Sequence, residues 1–162
     1  MQSHQKREGS IIPAFSFRLQ TFLNLKEQLE KSTKNELGIA VMKLEEEKAK
    51  LTVIDEGIAH CLHDFKRACS GIIQPDKIKE LKIYLEYLQK EREWQEANVK
   101  RQQQYVDKIR EKLVEIMKER KVLEKLKEKE FQEFLKQEEL KEQLRVDELV
   151  SYKEASKMDR TG

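Results

Sequence analysis

Residues 65–88 read FKRACSGIIQPDKIKELKIYLEYL, and this stretch decides the fold. Glycine suits the left-handed position that ends a helix, and proline suits the first turn of the next one. Gly71 and Pro75 therefore mark a stop and a restart with almost no chain between them. Downstream, from Asp76 to Lys157, there is neither Gly nor Pro. Upstream, back to Ala14, there is no Pro and only Gly38 and Gly57, each costing roughly 1 kcal/mol against Ala in a helix interior. A long helix tolerates that cost if it packs. The expected organisation is a first helix over 15–70, a turn over 71–75 and a second helix over 76–157. Residues 1–14, polar, aperiodic and carrying Gly9 and Pro13, are expected to form a flexible extension, and 158–162 a flexible tail.

Periodicity says where the apolar side chains go. Downstream of the turn a three-four rhythm runs through Ile78, Leu81, Leu85, Leu88, Arg92, Gln95, Val99, Gln102, Val106, Ile109, Leu113, Ile116, Arg120 and Leu123. That is a heptad seam, interrupted by polar residues that weaken it yet fix register. Before the turn the same spacing runs through Leu37, Ala40, Leu44, Glu47, Leu51, Ile54, Ile58, Cys61, Phe65, Ala68 and Ile72. A connection this short makes neighbouring helices run back along each other. The fold class is all-α: two long helices forming an antiparallel coiled-coil hairpin. Further upstream, Phe15, Leu19, Phe22, Leu29 and Thr33 keep the rhythm, but joining them to Leu37 requires one extra residue, so a phase slip is expected there.

The second helix is the longer one, so its C-terminal part is expected to overhang the first. Beyond about residue 130 the seam decays into Phe131, Phe134, Leu135, Leu140, Leu144 and Leu149, which need a partner from elsewhere. Charge is uneven as well. Val99 to Lys129 holds 11 basic and 6 acidic side chains, +5, and Glu130 to Leu149 holds 3 and 7, −4. On the outer faces Glu27 and Lys31, Glu30 and Lys34, Glu46 and Lys50, Glu86 and Lys90, and Glu96 and Lys100 stand in the favoured i,i+4 order, each worth about 0.2–0.5 kcal/mol.

Composition closes off other classes. Of the 162 residues 40% are charged, with a net of only +2, and 38% are hydrophobic. Five Gly and two Pro compare with on the order of 11 and 8 at average usage, too few turns for a sandwich or a doubly wound sheet. No stretch approaches the roughly 20 apolar residues of a membrane span. Cys61 and Cys69, eight apart on one expected helix, are too far separated for a disulfide, which favours reduced thiols in the cytoplasm.

Chemistry is sparse. His60, Cys61, His63 and Cys69 match no structural zinc spacing, and Cys61 falls on the apolar seam, so a buried thiol beside solvated histidines is the preferred reading. Two paired helices offer no pocket to exclude water, and no Gly-rich phosphate loop occurs. Neither catalysis nor a cofactor is expected. The basic run Lys118 to Lys129 is interleaved with Glu119, Glu124 and Glu128, which repel phosphates, and reads as a solvated face rather than a nucleic-acid stripe. Tyr84, Tyr87 and Trp94 lie beside the seam near the turn and are candidates either for protein contacts or for cover over Leu85 and Leu88.

The stretch from Phe15 to Glu30, FSFRLQTFLNLKEQLE, resembles the start of the flagellar FliJ proteins, coiled coils of the flagellar type III export apparatus. Leu81 to Leu88, the segment Arg120, Lys121, Leu123, Glu124, Leu126 and Lys127, and the acidic Asp147 and Glu148 are similar to later parts of that family. The resemblance implies a non-enzymatic, stalk-like antiparallel coiled coil. It would engage and stimulate the hexameric flagellar export ATPase, contact the membrane export gate protein FlhA and handle export chaperones, at the inner face of the cell membrane. On that basis Phe15, Phe17, Leu19, Phe131, Phe134 and Leu135, expected to be unpaired or weakly paired, are candidates for the ATPase-ring contact. Tyr84, Tyr87, Leu88 and Trp94 are candidates for the gate or chaperone contact. The alternative is a passive structural coiled coil, a tether or a homodimerising scaffold.

Overall fold

The computed structural model describes residues 14–158, and what was expected of residues 1–13 and 159–162 lies outside them. Two helices, α1 (Gln20–Ala68) and α2 (Pro75–Met158), account for nearly all of the described chain, and they pack against each other without a strand among the described residues. The all-α expectation holds. By contact the chain divides into two units, one of residues 28–117 and the other of the chain's two ends, 1–27 and 118–162.

Unit 28–117 contains the turn. Gly71 has φ 103°, the left-handed region that a side chain resists. The end of α1 is held by Cys69 N–H donating to Phe65 O, Ser70 N–H to Arg67 O and Ser70 Oγ to Lys66 O, with Lys66 and Arg67 in the last turn complementing the helix dipole. Pro75 opens α2, with Asp76 in its first turn. Pairing across the unit runs in opposite directions: Cys61 reaches Leu81, Asp55 reaches Arg92, Glu47 reaches Gln95 and Ala40 reaches Gln102. This is an antiparallel pair. Its core is Ala40, Leu44, Val106 and Ile109, with Leu37, Val41 and Val99 against it. Val106 is fully buried.

Two details of the seam differ from expectation. Ile72 is 95% exposed, because α1 ends at Ala68 and Ile72 lies in the turn beyond it rather than on the helix. The phase slip before Leu37 is absent. Burial follows Leu23, Lys26, Glu30, Thr33 and Leu37 in unbroken three-four steps, while Phe22 and Leu29 face outward. The polar Glu30 is accommodated because Lys34 donates to its carboxylate at 2.6 Å. Lys50 also chooses differently, pairing with Glu47 at i,i+3.

In the unit of the two ends, α1 starts at Gln20, five residues later than the apolar pattern suggested. Phe15 and Phe17 sit in non-helical chain ahead of it, and Gln20 N–H donates to Phe17 O at 3.1 Å, a turn that leads into the helix. Phe17 and Leu23 are buried, and Lys26 donates to Glu119 at 2.5 Å. Along α2 burial fades after Glu138, and residues 139–156 are all exposed.

Candidate functional site

Tyr84, Tyr87 and Trp94 project from α2 in unit 28–117 at 51%, 55% and 62% exposure, and the rings of Tyr84 and Tyr87 stack 6.4 Å apart at 20°. Leu88, grouped with them by sequence, is buried instead. A Cβ added at Gly57 would stand 3.7 Å from its side chain, so Leu88 supports the face without presenting itself. The sequence reading overlooked Tyr105. Positions 84, 87, 91, 94, 98, 101 and 105 repeat the three-four step one line away from the seam, and that spacing is the signal that could have found it. Tyr105 is half exposed and donates its hydroxyl to Glu36 at 3.2 Å, which pushes its pKa up.

Beside Trp94 a shallow groove is lined by Lys43, Glu46, Lys50, Gln95, Asn98 and Arg101. Its polar order is set from the seam. Gln95, only 3% exposed, donates to the backbone carbonyl of Glu47 at 2.9 Å and to its carboxylate at 2.6 Å, and accepts from Asn98. Lys50 and Gln95 together hold the Glu47 carboxyl below its ordinary value. Nearer the turn, Arg92 pairs with Asp55 at 2.6 Å and with Glu96 at 2.8 Å.

Among the ends, three of the aromatic residues expected to be unpaired or weakly paired are in ring contact. The Phe15 ring lies 5.2 Å from Phe131, edge-on at 66°, and 5.6 Å from Phe134. Such arrangements bring the positive edge of one ring to the negative face of the other and remove apolar surface from water. Phe15, Leu19, Phe131 and Phe134 are half-buried and Phe17 is buried, whereas Leu135 is exposed. A groove lined by Phe15, Leu23, Glu27, Glu124, Lys127 and Phe131 runs alongside. Further on, Leu140, Leu144, Leu149 and Val150 are all about half exposed or more. The acids of the basic run are engaged: Glu119 with Lys26, Glu124 with Arg120, Glu128 with Gln132.

Cys61 is buried and donates its thiol to Leu81 O at 3.5 Å, and Cys69 is free and exposed. No cluster of three or more metal-ligating side chains occurs among the described residues, and no helix there is long and apolar enough to cross a membrane.

A model of the flagellar FliJ protein family matches residues 15–158, which takes in both helices and the Phe15 segment. The chain belongs to the FliJ family. As a FliJ protein it is a component of the flagellar export apparatus, and that component is non-enzymatic. No curated protein and no solved structure matches it.

Proposed function

We propose that this FliJ protein acts as a stalk-like coiled coil that engages and stimulates the hexameric export ATPase and links it to the gate protein FlhA and to export chaperones. It would work in the cytoplasm, at the inner face of the cell membrane. The observation that carries the ATPase half is the C-terminal part of α2, where Leu135, Leu140, Leu144 and Leu149 are 43–57% exposed. Apolar side chains in that state are stabilised by a partner. The ring contact is assigned to Phe15, Leu19, Phe131, Phe134 and Leu135, with buried Phe17 as their support. Gate or chaperone contact is assigned to Tyr84, Tyr87 and Trp94 over Leu88.

The test measures hydrolysis by the purified export ATPase with increasing amounts of this chain. Phe134→Ala with Leu135→Ala should abolish stimulation while helix content by circular dichroism stays intact. Unchanged stimulation would sink the assignment. Sedimentation separates the passive scaffold, which predicts a dimer that grows with concentration.

A further inference from the structure

Helix α1 begins at Gln20, yet the chain ahead of it stays against α2. Residues 14–17 are non-helical, and a turn from Gln20 N–H to Phe17 O joins them to the helix. Apolar contact holds this strap down. Phe17 is buried, and the Phe15 ring meets Phe131 and Phe134. Ala14, Ser16 and Arg18 are exposed. A short segment outside the helical ladder, retained by a few ring contacts, belongs to the low end of local stability.

Along α2 the cover changes in order. Glu119 is met by Lys26 of α1, Phe131 and Phe134 by the strap, and residues 139–156 are all exposed. A partner packing along the exposed leucines therefore meets the strap at the next turns of the same helix. We infer that the strap is a displaceable cover: in the free chain Phe15 occupies the ring surfaces of Phe131 and Phe134 that the ATPase takes over, so engagement and strap release are one exchange. This rests on the ring-contact reading above and revises one residue of it, since Phe15 becomes a competitor. Phe17 remains the anchor that keeps the strap close enough to reclose. The exchange makes apparent affinity depend on the fraction of chains with the strap open.

The test uses the full chain carrying Ser16→Cys and Gln132→Cys with Cys69→Ser, its strap bridged to α2 by a short bismaleimide, beside the same variant unbridged. Stimulation of the export ATPase is titrated for both and for Phe15→Ala. Bridging should raise the half-saturating concentration about tenfold or more, and Phe15→Ala should lower it roughly two- to tenfold, the factor that a lost ring contact gives. Equal half-saturation with and without the bridge overturns the cover. Weaker stimulation by Phe15→Ala at intact helix content overturns it too, because Phe15 is then a contact. An unbridged chain that does not stimulate at all removes the ring reading itself, and the cover with it.

Discussion

Gln95 and Glu47, 48 residues apart in the chain, are joined twice, the Gln95 amide donating to the backbone carbonyl and to the carboxylate of Glu47. A polar side chain in a coiled-coil seam costs stability against leucine but selects one alignment, because a shifted helix would leave the amide buried without partners. Gln95→Ala should lower stability by about 1–2 kcal/mol in urea denaturation. Gln95→Leu should keep or raise stability while loosening register. Spin labels at Lys48 and Ala97 would report one narrow distance in the parent and a broadened or second one in Gln95→Leu; a narrow distance in both would remove Gln95 from that role.

The same pair gives a pH signature. The hydrogen bond from Lys50, and after it the one from Gln95, holds the Glu47 carboxyl below its ordinary 4.5. The contribution of Glu47 is therefore complete above that value and is lost as pH falls through the lower, folded-state pKa. Lys50 is pushed above its ordinary 10.5, so its share is complete below 10.5 and is lost as pH rises through its folded-state value. Melting of the parent and of Glu47→Gln should differ across the neutral range and converge on acidification. A gap of constant size from pH 7 to pH 3 would contradict the assignment.

Two glycines should respond with opposite signs. At Gly57, in the interior of α1, an added Cβ meets only the Leu88 methyl groups of α2, at the ordinary contact distances of 3.7 and 3.9 Å. Gly57→Ala should stabilise by about 0.5–1 kcal/mol through helix propensity. Gly71 has open space around it but a φ of 103°, and Gly71→Ala should cost roughly 1–2 kcal/mol. Thermal melts of the two variants settle both signs.

The turn and the seam of α2 were legible because Gly71, Pro75 and the leucine spacing carry their conformational preferences locally. The phase of early α1 was not, since Glu30 and Thr33 hold seam positions while Phe22 and Leu29 face water. Only the opposing helix, and the Lys34 partner that makes Glu30 tolerable, decides between those two alignments. Pairing of Phe15 with Phe131 was hidden for another reason: a non-helical strap has no period to read, and its contact lies more than a hundred residues away. At the turn end, spacing placed Tyr84, Tyr87 and Trp94 beside the seam and Leu88 on it. The burial of Leu88 follows from that placement, whereas the partner of the exposed rings is a property of another molecule.

Those rings give the remaining prediction. Tyr84 and Tyr87 are half exposed and stack chiefly on each other, so Tyr84→Ala with Tyr87→Ala should shift the folding midpoint by no more than about 0.5 kcal/mol per site. If they anchor the gate contact, affinity for the cytoplasmic part of the gate protein should fall by roughly tenfold or more, since aromatic anchors carry a large share of interface energy. Trp94, the sole tryptophan and 62% exposed, is a built-in reporter on the same line of α2. Its emission should move to shorter wavelength as the gate protein is added to the parent and stay put with the double variant. A blue shift of equal size in both, at equal affinity, would place the gate contact elsewhere on the chain.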